Sequence, residues 1–424
     1  MQQLFLRTQV SEGGERLKET EFVAKLRAAG ARVFLVGGFV RDELRGVAAA
    51  DKDYVVSGIA EGDFRALFPD APRVGRSFPV YLVPIDGHSC EVAFARRERK
   101  TGAGYRGFDV AFSPEVTIEE DLYRRDTTMN SMARELPDGK LLDPYGGRED
   151  IAQHRVRAVS EHFTEDPVRA LRAARQAALF DFSITDETLA YMRACREELL
   201  AEPSERLFGE LSRALTARRP SQFFRWLHAA GLLDATFPEL FALIGKTQPV
   251  AFHPEGDAFE HTMLVVDKVA AETDDVLARF CGLAHDIGKG VTPEGLLPHH
   301  YGHELKGGDV LASWDARMHF PKAWRQAAAF VIREHMRAAR LTKLGKITQL
   351  LLAIRKSPLS FASFNAVIRA DHDSLPPYLE NGESWAAELM KISGRDAPKT
   401  LEGRAIADWI FAQQAARLRV LMKA

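Results

Sequence analysis

The chain has 424 residues, 46% of them apolar and 27% charged, with a formal net charge of −2. That length suggests two to four domains with ordinary cores, and no apolar run approaches the roughly 20 residues of a helical bilayer span, so a membrane-spanning helix is excluded. Near-neutrality gives no global signature of a polyanion binder; the basic residues gather locally instead, at Arg96, Arg97, Arg99 and Lys100, at Arg124 and Arg125, and at Arg169, Arg172 and Arg175.

Met1 to Glu21 alternates charged and apolar residues without a secretory h-region, which predicts a cytoplasmic protein. The three cysteines, Cys90, Cys195 and Cys281, are far apart and lack a Cys-x-x-Cys spacing. They are expected to pack in the interior rather than to form disulfides or a thiolate metal site.

Residues 33 to 150 read as mixed α/β, with short apolar or β-branched runs (Val33 to Val36, Asp53 to Ser57, Val80 to Ile85, Glu91 to Phe94) punctuated by Gly, Pro and Asp. Gly37-Gly38 follows the first strand and precedes Arg41-Asp42 at a helix start. Glycine lets backbone amides approach a phosphate there, but the pattern is neither a P-loop nor a dinucleotide fingerprint. Downstream, Asp51-Lys52-Asp53 places two carboxylates two apart at the start of a strand, where both point to one face and can hold Mg²⁺. Such a pair suits two-metal phosphoryl transfer, with Glu91 as the candidate third carboxylate; taken alone, it would equally describe a capped strand end. Arg96 to Phe108 is basic and glycine-rich and reads as a mobile loop.

From about Glu165 the apolar spacing becomes helical, in Asp166 to Phe180, Glu205 to Thr216 and Ser221 to Gly231. If Asp166 and Arg169 share a helix, they are neighbours. A carboxylate accepts from the exocyclic amino group of cytosine or adenine while a guanidinium donates to the adjacent ring acceptor. One fixed pair would then admit C and A and reject G and U. Arg172 and Arg175 lie further round and could reach a triphosphate; an exposed ion pair is the plainer alternative.

Pro249 to Asp257 reads as a loop opening a further helical unit through Val276 to Lys289 and beyond. Within it, His285-Asp286 interrupts an apolar stretch and needs partners, because an unpaired buried charge is costly. His261 upstream and Asp371 downstream could complete a metal site with it, and His299, His300, His303 and His335 could extend that site.

Gly37-Gly38-Phe39-Val40-Arg41-Asp42 with Asp51-Lys52-Asp53 resembles the signature of polymerase-beta-like tRNA nucleotidyltransferases and bacterial poly(A) polymerases. Asp121 to Asn130 is similar to the family's Arg-Arg-Asp block, with Thr127 where a bulky apolar residue is usual. Glu165 to Arg175 is similar to its base-selecting helix, and His261, His285-Asp286 and Asp371 resemble the HD phosphohydrolase pattern, although Ser374-Leu375-Pro376-Pro377 departs from it.

The resemblance implies an α+β protein: a nucleotidyltransferase head over residues 30–155, a helical neck and body over 156–248, and a helical HD domain and tail over 249–424. It implies addition of C, C and A to the 3′ end of tRNA from CTP and ATP. Asp51, Asp53 and Glu91 would be catalytic around Mg²⁺; Gly38, Arg41, Arg125, Arg172 and Arg175 would bind the nucleotide, and Asp166 and Arg169 would read its base. His261, His285, Asp286 and Asp371 would hold Ni²⁺, Mn²⁺ or Mg²⁺ for phosphate or cyclic phosphodiester hydrolysis. A poly(A) polymerase, an A-only or CC-only enzyme, or an HD hydrolase with an inactive transferase half are the alternatives, and a monomer and a homodimer fit equally.

Overall fold

The computed structural model describes residues 17–49, 51–74, 78–100, 102 and 108–423. By compactness the chain divides once, into Met1–Glu202 and Pro203–Ala424. Among the described residues no helix is long and apolar enough to cross a membrane.

The first unit is built on a six-stranded sheet. Helix α1 (Glu19–Ala28) is followed by β1 (Arg32–Val36), α2 (Gly38–Leu44), β2 (Asp53–Ser57), α3 (Glu61–Leu67), and the hairpin β3 (Val80–Ile85) and β4 (His88–Phe94). After the ribbon β5 (Arg97–Lys100) and β6 (Phe108–Ala111) come α4 (Ile118–Tyr123), β7 (Ala133–Leu136) and β8 (Lys140–Leu142). The spatial order is β3-β4-β2-β1-β7-β8. Val33 to Val36 form an unbroken buried run because β1 is central, antiparallel to both β2 and β7. Phe34, Val36 and Val55 pack with Ile118 and Leu122 of α4, and Phe22, Tyr54, Phe64, Phe68, Tyr81 and Phe94 form an aromatic cluster. The four strands expected in this region are present.

Three expectations change. The stretch Arg96 to Phe108 is in part β-structure, since β5 and β6 pair antiparallel; residues 101 and 103–107 of it lie outside the described residues. The helix expected from Asp166 is α6 (Val168–Phe180), after α5 (Gly147–Ala152) and β9 (Arg155–Val156), and Asp166 itself is extended, at φ −116° and ψ 106°. Pro167 is the reason: it disfavours helical geometry in the residue before it while being well tolerated at a helix start itself. The helical half also holds a short strand, β10 (Ser183–Ile184), parallel to β9.

The second unit is helical. Segments Ala258–Glu272, Val276–Ala284, Lys322–Ala338, Leu344–Lys356 and Phe361–His372 enclose an apolar core that includes Val265, Cys281, Val331, Leu350 and Phe364. The buried Arg279 donates to the carbonyls of Leu215, Ala217, Ala270 and Thr273 and to Asp274. It thereby satisfies carbonyls at helix ends that would otherwise be buried without donors. All three cysteines are buried, as expected, and none of them is in a disulfide among the described residues.

Candidate active sites

Around the Gly-Gly turn, Gly37 has φ +66°, a conformation that favours glycine. A Cβ at Gly37 would lie 3.4 Å from Arg125 Nη1, and one at Gly38 would lie 3.5 Å from Arg41 Nη2. Two guanidiniums therefore rest against the two glycines. Arg41 donates from Nε and Nη2 to Asp42 and from Nη1 to Asn130 Oδ1 at 2.8 Å, and lies 4.6 Å over the Phe180 ring. Arg124 and Arg125 are held by opposite oxygens of Asp121, Oδ1 at 2.9 Å and Oδ2 at 2.8 Å. Burial favours the neutral acid, but the two guanidiniums outweigh it and bring Asp121 down to about 2.

Asp126 plays the same part for α6. Its Oδ2 accepts from Arg172 at 2.7 Å and from Gln176, and its Oδ1 from Asn130 and the Thr127 amide. Burial opposes the anion, yet Arg172 and these donors hold Asp126 well below the usual carboxylate range. Arg175 follows Arg172 by nearly one helical turn.

Asp53 opens β2 and pairs in register with Val36 of β1 and Glu91 of the parallel strand β4. The register sets the Glu91 side chain beside that of Asp53 on one face of the sheet; Asp51 precedes the strand and is exposed. Hard carboxylate oxygens at this exposed strand start fit Mg²⁺. Asp166 and Arg169 do not share a helix face, contrary to expectation. They are linked through a turn, Arg169 N donating to Asp166 O at 2.9 Å. The Asp166 carboxylate accepts from Val168 N, while the buried Arg169 guanidinium donates to His162 O at 2.7 Å.

In the second unit the four expected ligands converge. His261 Nε2 is 3.0 Å from Asp371 Oδ1 and 3.7 Å from Asp286 Oδ2; His285 Nε2 is 3.1 Å from Asp286 Oδ2 and 3.5 Å from Asp371 Oδ1. The other oxygen of Asp286 faces His303 Nε2 at 3.2 Å and His335 Nε2 at 3.4 Å. Asp286 thus stands between two groups of nitrogen donors. Lys289 Nζ is 2.6 Å from Asp286 Oδ2, and Glu255 Oε1 is 2.5 Å from His261 Nδ1, directing Nε2 inward. His299 and His300 stay outside: one stacks on Tyr301, the other bonds Thr292 and the Thr247 carbonyl.

The local fold makes this convergence. A Cβ at Gly288 would lie 2.0 Å from the His303 carbonyl oxygen, so only glycine lets the turn after His285-Asp286 touch the helix His303–Met318. Burial disfavours an imidazolium at His285, but Asp286 and Asp371 outweigh it and push His285 up to about 10. Both carboxylates stay well below their ordinary values despite burial. Neither Asp286 Oδ1 nor Asp371 Oδ2 finds a hydrogen bond of good geometry among the described residues. Buried imidazoles and carboxylates with such orphaned oxygens fit a divalent cation.

Some of these residues escape a reading of the sequence. Asp121 was legible from its i, i+3 and i+4 spacing to Arg124 and Arg125; Glu255, Gln176 and Phe180 carried no comparable signal.

Comparison with known proteins identifies the family and the fold. The Poly A polymerase head domain model matches residues 33–157, the probable RNA and SrmB-binding site of polymerase A matches 181–244, and the HD domain matches 258–360. The multifunctional CCA protein of Nitrosococcus oceani is 41% identical over 397 residues, covering 90% of this chain and 96% of that protein. The chain belongs to the multifunctional CCA protein family. Another member, from Paraburkholderia phymatum, is 45% identical over 359 residues, 80% of this chain and 83% of that one. Among solved structures, the Bacillus stearothermophilus CCA-adding enzyme in complex with CTP shares the fold, with a TM-score of 0.62, 21% identity, and coverage of 95% and 97%. A CCA-adding enzyme with ATP gives a TM-score of 0.60 at 19% identity, covering 95% of this chain and 91% of that one.

Proposed function

We propose that this multifunctional CCA protein adds C, C and A to the 3′ end of tRNA from CTP and ATP without a template and releases pyrophosphate. The observation that carries the reading is the meeting of Arg41 and Arg125 on Gly37-Gly38, beside the strand that Asp53 opens. The two arginines, with Gly38, present donors to a triphosphate, and Arg172 and Arg175 add charge from α6. Asp166 and Arg169 read the base, supported by the turn that links them. Asp51, Asp53 and Glu91 would hold Mg²⁺, which supplies charge neutralisation and activation of the attacking hydroxyl. Functionally, transfer belongs to 30–155, base selection and RNA binding to 156–248, and hydrolysis to 249–424.

His261, His285, Asp286 and Asp371 would hold a divalent ion, Ni²⁺, Mn²⁺ or Mg²⁺, that supplies an activated water. His303 and His335 offer further nitrogens on the far side of Asp286. This site would act as a phosphatase, 2′-nucleotidase or 2′,3′-cyclic phosphodiesterase.

Incubation with tRNA lacking its last three nucleotides, with CTP and ATP supplied separately and together, tests the reading. Sequenced ends should carry C and C with CTP alone and C, C and A with both. Runs of A with ATP alone would instead make it a poly(A) polymerase.

A further inference from the structure

Beside the nucleotide-binding arginines lies a cavity of about 350 Å³ that the proposed reaction has not used. Its walls are part aromatic and part charged. Tyr123, at the end of α4 and 37% exposed, has its ring centre 5.7 Å from that of Tyr145 and 5.1 Å from an edge-on His162. Tyr145 is fixed by its hydroxyl, which donates to the Glu119 carbonyl, and His162 by Glu165 at 2.9 Å. Arg124 and the Arg97–Glu120 pair supply charge.

The cavity is joined to the nucleotide site on two sides. Asp121 acts as a fork: one oxygen holds Arg125 against Gly37, and the other holds Arg124, which lines the cavity. On the other side the His162 carbonyl receives Arg169. A ligand in the cavity therefore touches Arg124 and His162, each one hydrogen-bonded step from an arginine assigned to the nucleotide: Arg124 shares Asp121 with Arg125, and the His162 carbonyl holds Arg169.

We infer that this cavity receives the terminal nucleoside of the RNA acceptor, with its base stacked on Tyr123 and its phosphate met by Arg124. The inference rests on the transferase reading. A templateless transferase must hold a 3′ hydroxyl next to the incoming α-phosphate, so a second base has to sit beside the first. The identity of that base changes with every addition. Stacking on an aromatic face tolerates such change, because every base has a π-face, whereas a fixed hydrogen-bond code would not.

The test uses the full chain as wild type, Tyr123→Ala and Tyr123→Phe. With tRNA lacking its last three nucleotides, Tyr123→Ala should raise KM for RNA roughly tenfold, the scale of losing one stacked base, and leave KM for CTP unchanged. Tyr123→Phe should match wild type. A KM for RNA unmoved in Tyr123→Ala would overturn the inference, and so would a rise in KM for CTP instead, which would assign the cavity to the incoming nucleotide. Fluorescence of 2-aminopurine placed at the RNA 3′ end supplies a readout without catalysis. Quenching by wild type and Tyr123→Phe, lost in Tyr123→Ala, supports the assignment; equal quenching by all three overturns it. A wild type that quenches without extending the RNA refutes the transferase reading alone, and one that extends while the alanine variant still quenches refutes the cavity alone.

Discussion

The head and the HD unit use the same chemical groups with opposite intent. In the head, Asp42, Asp121 and Asp126 are occupied by guanidiniums, and under the proposed function those guanidiniums would meet an anionic substrate. In the HD unit, Asp286 and Asp371 lie buried among imidazoles, and under the proposed function they would offer negative charge to a cation. A carboxylate's role therefore follows from its partner. Arginine cannot give up its proton and remains paired, while histidine can release one and yield its lone pair to a metal.

The largest effect that would test this contrast is at Asp51 and Asp53, the head carboxylates assigned to metal. Asp51→Ala or Asp53→Ala should lower nucleotide incorporation by roughly 10³-fold or more, the scale of several kcal/mol of transition-state charge stabilisation. Cyclic phosphodiester hydrolysis should persist; transfer at the wild-type rate would break the assignment. His285→Ala is the mirror image. Divalent metal retained through dialysis, measured by mass spectrometry, should fall with hydrolysis, and C and A addition should remain. A smaller effect is expected from Glu255→Gln, which touches His261 but not the proposed ion. Loss of such an orienting carboxylate typically weakens metal affinity by about 10–100-fold, read here by competitive chelator titration.

The smallest effect concerns pH. Asp121 has a folded-state pKa of about 2, below its unfolded value. Its contribution to stability is therefore complete above about pH 5 and is lost as pH falls toward 2, amounting to ~2 kcal/mol. Denaturant midpoints for wild type and Asp121→Asn should converge over that window. A constant gap between them would show that the arginine fork does not stabilise the head through its charge.

Much of this was legible in the sequence because the signals are local. The buried strand before Gly37-Gly38, the carboxylates at Asp51 and Asp53, and the His285-Asp286 dyad each occupy a few consecutive positions. Asp166 was misplaced for an equally local reason, since helical apolar spacing was extended past Pro167. The basic stretch after Arg96 read as loop because glycines in its middle hid the pairing of β5 with β6. His303 and His335 could be named but not assigned, because only a close backbone approach at Gly288 brings them to Asp286. Glu255 and Gln176 act through partners distant in sequence or on another element, and no periodicity reveals such a partner.

Asp286 meets His261, His303 and His335, and Asp371 meets His261 and His285, so the donor set draws on residues from 261 to 371 and exists only when that whole span has folded. A cation held there would act as a thermodynamic lock on the helices that carry these donors. At 100 times its dissociation constant, an ion that binds only the native state adds about 2.7 kcal/mol to stability. Cellular supply of the ion would then govern how long the hydrolase unit survives as well as how fast it turns over, and chelation would shorten its life before any chemistry is measured.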